Sequence, residues 1–182
     1  MIYLYYTGAV AFNKPQQDIT KSLGGNISSS IIPNSRLNSL FSDNSLHNKN
    51  TSEVEVICVA VKNIATIDLT NFSLYCEFNQ VELNYTIEAA VVLPSLDECN
   101  NFVFEKLNST GDLPYYGEFH DIVSEAHKIN MGTFTKDTYI GIFLCKKYVG
   151  NLNNQSYCEP IDPDLQTEAN KIEEIAFKFS WD

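Results

Sequence analysis

Apolar side chains recur along this chain with the spacing of β-strands, and this spacing constrains the fold more than any other feature. Residues 53–62 begin with alternating polar and apolar side chains and pass into a continuous apolar run, which is typical of a central strand. Residues 139–146 are rich in β-branched and aromatic side chains, which favour strands. Residues 175–182 alternate strictly, which indicates a half-buried strand. The other predicted strands are residues 72–78, 84–93, 115–120 and 126–131.

One helix is predicted to interrupt these strands. Ser95-Leu-Asp-Glu98 matches a capping box, in which the first hydroxyl accepts a hydrogen bond from the backbone N–H three residues on. The apolar residues that follow share one stripe at helical spacing. They are Leu96, Cys99, Phe102, Val103 and Leu107. The sequence therefore predicts a mainly β fold, an antiparallel β-sandwich (Ig-like or jelly-roll-like) with one or two short helices. The alternative is a mixed α+β domain with a single sheet.

The first fifty residues differ in character from the rest. They are aromatic at the start and then rich in Gly, Ser, Asn and Pro, without the apolar periodicity of a core. We therefore predict that residues 1–50 form an extended N-terminal arm with a short helix near 34–41, and that residues 51–182 form the β-sandwich domain. The residues of the arm that we expect to bind a partner are Tyr3, Tyr5, Tyr6, Phe12, Leu37, Leu40 and Phe41. The alternative is that the arm packs on its own sandwich.

Charge and hydropathy argue against several classes of protein. The 182 residues carry 23 acidic and 12 basic side chains, a formal net charge of −11. Binding to nucleic acid needs clustered Lys and Arg to displace counterions, so we expect no sequence-specific nucleic-acid partner. We expect no membrane partner either, because the chain lacks an apolar run of about 18 residues and is acidic. The first residues lack the basic and apolar regions of a signal peptide, so we expect synthesis in the cytoplasm.

No motif in the sequence predicts catalysis, a cofactor or a metal site. The densest polar group is formed by Glu118, His120, Asp121, Glu125 and His127, without the spacing of a known metal motif. We interpret these residues as polar neighbours across a hairpin. The five cysteines lack a C-x-x-C pair, and most lie in apolar runs, so we expect reduced core cysteines. The protein is therefore predicted not to be an enzyme.

Several short motifs are spread over most of the chain. They include Thr7-Gly-Ala, Ser22-Leu-Gly-Gly, Leu37-Asn-Ser-Leu-Phe-Ser-Asp, Pro114-Tyr-Tyr-Gly-Glu-Phe, Ile140-Gly-Ile-Phe-Leu and Phe179-Ser-Trp-Asp. In this pattern the chain resembles small virion structural proteins of tailed bacteriophages that infect gut Bacteroidetes, including the crAss-like group. The resemblance is one of pattern and carries no catalytic residue.

The resemblance implies a non-enzymatic virion subunit that is made in the cytoplasm of a bacterial host. The role we expect is a head–tail connector or tail ring subunit whose N-terminal arm locks neighbouring subunits. Its partners would be further copies in a homo-oligomeric ring and portal, tail or capsid subunits. The alternatives are an auxiliary capsid, decoration or fibre-anchoring protein, or a carbohydrate-binding module. Such a module would expose aromatic side chains on loops near Tyr115, Tyr116 and Tyr157.

Overall fold

Strands dominate the computed structural model, which describes residues 1–33, 40–41, 54–78, 85–115, 117–122, 124–148 and 175–182. The strands in these ranges are β1 (Ile2–Ala9), β2 (Gly24–Ile31), β3 (Val54–Asn63), β4 (Leu69–Phe78), β5 (Tyr85–Val92), β6 (Ser95–Leu96), β7 (Phe102–Lys106), β8 (His120–Asp121), β9 (Ile129–Phe134), β10 (Tyr139–Tyr148) and β11 (Ile175–Ser180). The helical elements in the described ranges are two 3-10 turns, at Ile19–Lys21 and Glu125–His127. The prediction of a mainly β fold is confirmed.

The strands form two antiparallel sheets. The larger has eight strands in the order β6-β7-β2-β1-β3-β10-β5-β8, and the smaller has three in the order β11-β4-β9. β3 and β10 lie at the centre of the larger sheet and pair over nine positions, from Tyr139 opposite Lys62 to Lys147 opposite Val54. The long apolar strands of the sequence are therefore the central ones.

Both faces of β3 are buried. Its residues from Val56 to Val61 are each at most 1% exposed. Ile57, Val59 and Val61 belong to a large apolar cluster that includes Phe72 and Leu74 of the three-stranded sheet. The alternate residues of β3 point to the opposite face, where they join Ile27, Phe104 and Phe143 in a second, smaller cluster. The chain thus has one core to which both sheets contribute and another on the opposite face of the larger sheet.

The second core exists because the larger sheet curls over its own face. β7 and β10 are separated by three strands in the sheet order. A Cβ built on Gly141 of β10 would nevertheless lie 2.6 Å from the Phe104 ring of β7. Phe104 therefore rests directly on the backbone of β10, where no larger residue than glycine would fit. The close contact covers the apolar face that the three-stranded sheet leaves open.

The two sheets are joined at Ile122, which directly follows β8. Its backbone N–H donates to the Ile87 carbonyl of β5 over 3.4 Å, and its carbonyl accepts from the Cys76 N–H of β4 over 2.6 Å. One buried residue therefore links the backbone of the larger sheet to that of the smaller one.

The prediction of an extended N-terminal arm is wrong for residues 2–9 and 24–31. β1 lies between β2 and β3 inside the larger sheet and pairs with both. Polar side chains hold the connection between β1 and β2: the Thr7 hydroxyl donates to the Cys58 carbonyl over 2.9 Å and accepts from the Gly24 N–H. The serines and glycines that looked like linker residues are paired within the sheet. Of the helix predicted near 34–41, residues 34–39 lie outside the described residues.

The helix predicted from Ser95 is also wrong, since this segment is the β-hairpin of β6 and β7. The Asp97 carboxylate accepts hydrogen bonds from the backbone N–H groups of Cys99 and Asn101, each over 2.8 Å. Asn100 adopts a left-handed backbone with φ of 60°. An aspartate that bonds its own neighbouring backbone favours a turn over a helix, and the chain reverses here.

The predictions for the remaining strands differ in outcome. The strands at 53–62, 72–78, 84–93, 139–146 and 175–182 are confirmed as β3, β4, β5, β10 and β11, with ends shifted by a few residues. The hairpin expected between 115–120 and 126–131 is absent from the described residues of these ranges. β8 pairs instead with β5, and β9 pairs with β4. These two short strands therefore belong to different sheets.

Deletion of residues 2–33 tests the correction to the N-terminal segment. We expect the truncated protein to lose its cooperative thermal unfolding transition, because the deletion removes two strands from the interior of the larger sheet and uncovers β3. Circular dichroism during heating measures this. A truncated protein that melts like the full chain would contradict the placement of β1 and β2.

Substitution of Gly24 tests how closely β2 packs on β7. Gly24 has φ of 86°, and a Cβ there would lie 1.7 Å from the Glu105 carbonyl oxygen. Gly132 has φ of 71° but nothing within 4 Å of its Cβ position, which makes it the matched control. We expect Gly132→Ala to cost about 1–2 kcal/mol of unfolding free energy from backbone strain. Gly24→Ala should cost about 1–3 kcal/mol more, because β7 must shift. Urea denaturation gives both values, and equal losses would refute the close packing.

Candidate functional site

One surface of the larger sheet carries a continuous group of aromatic and aliphatic side chains, which we call the aromatic patch. Strand register brings its members together from six strands. Lys62 of β3 lies between Tyr3 of β1 and Tyr139 of β10, and it is the direct neighbour of both. The other members of the patch form two further pairs of residues that lie opposite each other on neighbouring strands. These pairs are Tyr5 with Ile31 and Phe102 with Leu96.

The rings of the aromatic patch contact one another in sequence across the sheet. The Tyr3 and Tyr5 centroids are 6.5 Å apart, and those of Tyr5 and Tyr139 are 6.1 Å apart, both in edge-to-face geometry. Phe102 continues the row at 5.5 Å from Tyr139. These separations are within the range of favourable aromatic pairs. The four rings therefore form a row in which each ring packs against the next.

The aromatic patch is the outer margin of the smaller core. Tyr5, Phe102 and Tyr139 are half-buried and pack against that core. The side chains at the margin are much more open: Tyr3 is 39% exposed, Ile31 45% and Leu96 57%. Exposed apolar side chains that adjoin one another mark contact surfaces more often than single ones do. The patch is thus anchored from below and open on its outer side.

Lys62 is the one ionisable cation among the residues of the aromatic patch. Its Nζ lies 5.2 Å from the centroid of the Tyr139 ring, a cation–π geometry. Among the described residues, no carboxylate lies within ion-pair distance of this ammonium. Burial raises the pKa of Tyr139 above its ordinary value. Burial also raises the pKa of Tyr5, and the neighbouring Tyr139 adds to that rise. At neutral pH the Tyr5 and Tyr139 phenols therefore carry no charge beside the Lys62 ammonium.

The structure separates the residues predicted to bind a partner. Tyr3 and Tyr5 lie in the aromatic patch. Tyr6, Leu40 and Phe41 are buried in the larger core, so they are not available to a partner in this structure. Phe12 is half-buried against the smaller core, and Leu37 lies outside the described residues. The sequence analysis missed five members of the patch. They are Ile31, Lys62, Leu96, Phe102 and Tyr139.

The polar group at residues 118–127 does not form a compact site. His120, Asp121, His127 and Lys128 line an open groove of about 510 Å³, together with Ile129 and Asn130. The Ser124 hydroxyl is 2.9 Å from His127 Nδ1. Within the described part of the chain, no group of three His, Cys, Asp or Glu side chains is arranged to hold a metal ion.

The buried cysteines lie in the cores. Cys58, Cys76 and Cys145 are buried and unpaired with other cysteines. Burial raises the pKa of each thiol, to about 11 for Cys145 and further for the other two. A thiol that stays protonated is a poor nucleophile. The predicted core position is confirmed for these three, whereas Cys99 is exposed on the turn between β6 and β7.

No family model, curated protein or solved structure matches this chain. None of the described residues forms a helix long and apolar enough to cross a membrane.

Cysteine labelling tests the assignment of the thiols. We expect Cys99 to react with iodoacetamide at pH 8 in the native protein, while Cys58, Cys76 and Cys145 stay unmodified until urea unfolds the chain. The physical reason is that burial both blocks the reagent and disfavours the thiolate. Mass spectrometry of proteolytic peptides measures each site separately. Rapid native labelling of Cys58 would contradict the burial of β3.

Proposed function

We propose that this protein is a non-enzymatic structural subunit of a tailed-bacteriophage virion, in a head–tail connector or tail ring. The observation that carries the proposal is the aromatic patch, an open apolar surface fixed on a sheet with two cores. Tyrosine and phenylalanine are enriched at the centres of protein interfaces, where they supply large contact areas at low entropic cost. The phage assignment itself comes from the resemblance in the sequence motifs.

The scaffold suits a subunit that must hold a contact surface rigidly. The central strands are buried on both faces, and Ile122 ties the two sheets together. We further propose that the two sheets form a β-sandwich, which the core shared by β3 and β4 supports. A rigid surface loses little conformational entropy when it binds.

In this proposal the aromatic patch, rather than an extended arm, is the contact between subunits. The partners are further copies in a homo-oligomeric ring and the adjoining portal, tail or capsid subunits, with the protein located in the virion. The chain's net charge of −11 opposes binding to nucleic acid. Negative charge would also let DNA pass through a ring without adhering to it.

Auxiliary capsid, decoration or fibre-anchoring proteins are the second candidate role, and a carbohydrate-binding module is the third. The carbohydrate reading is favoured by Tyr115, which is 84% exposed. Tyr116 and Tyr157 lie outside the described residues. The aromatic patch suits a sugar less well, because Lys62 covers a face of Tyr139 and the other rings meet edge to face. Binding on a glycan array that is lost in Tyr115→Ser would favour the module.

Incorporation into particles tests the proposed function. We expect electron microscopy of intact particles to place the protein in a ring at the portal or tail axis. The double variant Tyr3→Ser/Leu96→Ser should keep its melting temperature but fall at least about tenfold in copies per particle, because it removes exposed interface side chains.

The matched control is Val10→Ser, which removes an exposed apolar side chain outside the patch and should be incorporated normally. Quantitative mass spectrometry of purified particles gives the copy number. Absence of the wild-type protein from particles would refute the proposal, and distribution over the capsid lattice would favour the decoration role.

A further inference from the structure

A second exposed surface lies on the segment between β7 and β8. Leu113 is 53% exposed and Tyr115 is 84% exposed, and Glu118, three residues further along the chain, is also exposed. We call these three residues the Tyr115 surface. It shares no residue with the aromatic patch. These two groups of exposed apolar side chains are therefore distinct, and one contains an ammonium whereas the other contains a carboxylate.

The backbone around Tyr115 is held in place at two points. The Tyr115 N–H donates to Glu105 Oε1 of β7 over 2.7 Å. A Cβ built on Gly117 would lie 3.1 Å from the Ala90 side chain and 3.4 Å from that of Val92, so the segment rests on β5. The exposed Tyr115 side chain thus projects from backbone that is anchored to two strands.

A partner that covered the aromatic patch would remove water from the Lys62 ammonium. A desolvated ammonium is costly unless an acceptor replaces its water, so an occupant of the patch must bring a carboxylate among apolar groups. The Tyr115 surface has this composition, with exposed Glu118 on the same short segment as exposed Leu113 and Tyr115. We propose that the patch binds the Tyr115 surface of a second copy of this chain, with Glu118 of that copy paired to Lys62.

A contact between two different surfaces of identical chains is head-to-tail. Such contacts build closed rings when the rotation between copies closes, and open filaments when it does not. The inference therefore rests on the proposed function and names the partner of the aromatic patch within it.

Charge exchange between Lys62 and Glu118 tests the pairing. We expect the wild-type chain to self-associate in sedimentation velocity runs over a concentration series. Lys62→Glu and Glu118→Lys should each weaken association at least about tenfold, because each places like charges in the contact. The double variant should recover association, and so should an equimolar mixture of the two single variants. In that mixture every head-to-tail contact between the two different variants joins opposite charges.

Lys178→Glu is the matched control, since Lys178 lies on β11 of the other sheet, and it should associate like the wild type. Circular dichroism checks that each variant is folded. A monomeric wild type, single variants that associate normally, or a mixture that fails to recover would each overturn the inference. If the exchange fails while microscopy still finds the protein in a ring, the proposed function stands and only this contact is lost.

Discussion

The fold depends on the burial of β3 and β10 on both faces. Each fully buried Val, Ile, Leu or Phe side chain stabilises the folded state by about 1.5–3 kcal/mol relative to exposure, so neither face can be left to water. The three-stranded sheet covers one face. Among the residues that the structure describes, the other face has no separate layer, and β7 and β2 curl back to cover it through Ile27 and Phe104. The curl in turn positions Phe102 against Tyr139, so the aromatic patch is a result of the same requirement.

The sequence predicted the strands whose apolar periodicity is strong and missed those whose pairing is set at long range. Continuous apolar runs in the sequence predict β3, β5 and β10. β2 has the sequence Gly-Gly-Asn-Ile-Ser-Ser-Ser-Ile, which looks like a linker because its serine and glycine groups find partners far along the chain. Gly24, for example, pairs with Lys106 of β7. The helix predicted for residues 95–108 is wrong for a local reason, because the same residue spacing suits both a capping box and a turn closed by the Asp97 side chain.

The candidate site was predictable only in part. Tyr3 and Tyr5 were predicted as aromatic residues near the start of the chain, but two of their neighbours, Lys62 and Tyr139, lie far along the sequence and are brought close by the register of β1, β3 and β10. Alternation along a strand could have separated Tyr5 from Tyr6, because successive side chains point to opposite faces. The identity of Lys62 as the central cation needed the sheet register, which one sequence does not contain.

Ile122 has a mechanical consequence. Two stacked sheets that share only apolar contacts can slide past each other at little cost, because such contacts have no preferred direction. A backbone hydrogen bond is directional and weakens steeply with misalignment. Since the one residue donates to β5 and accepts from β4, sliding would strain both bonds at once. The two sheets should therefore respond to shear as one body, and a load applied to either would be carried by both.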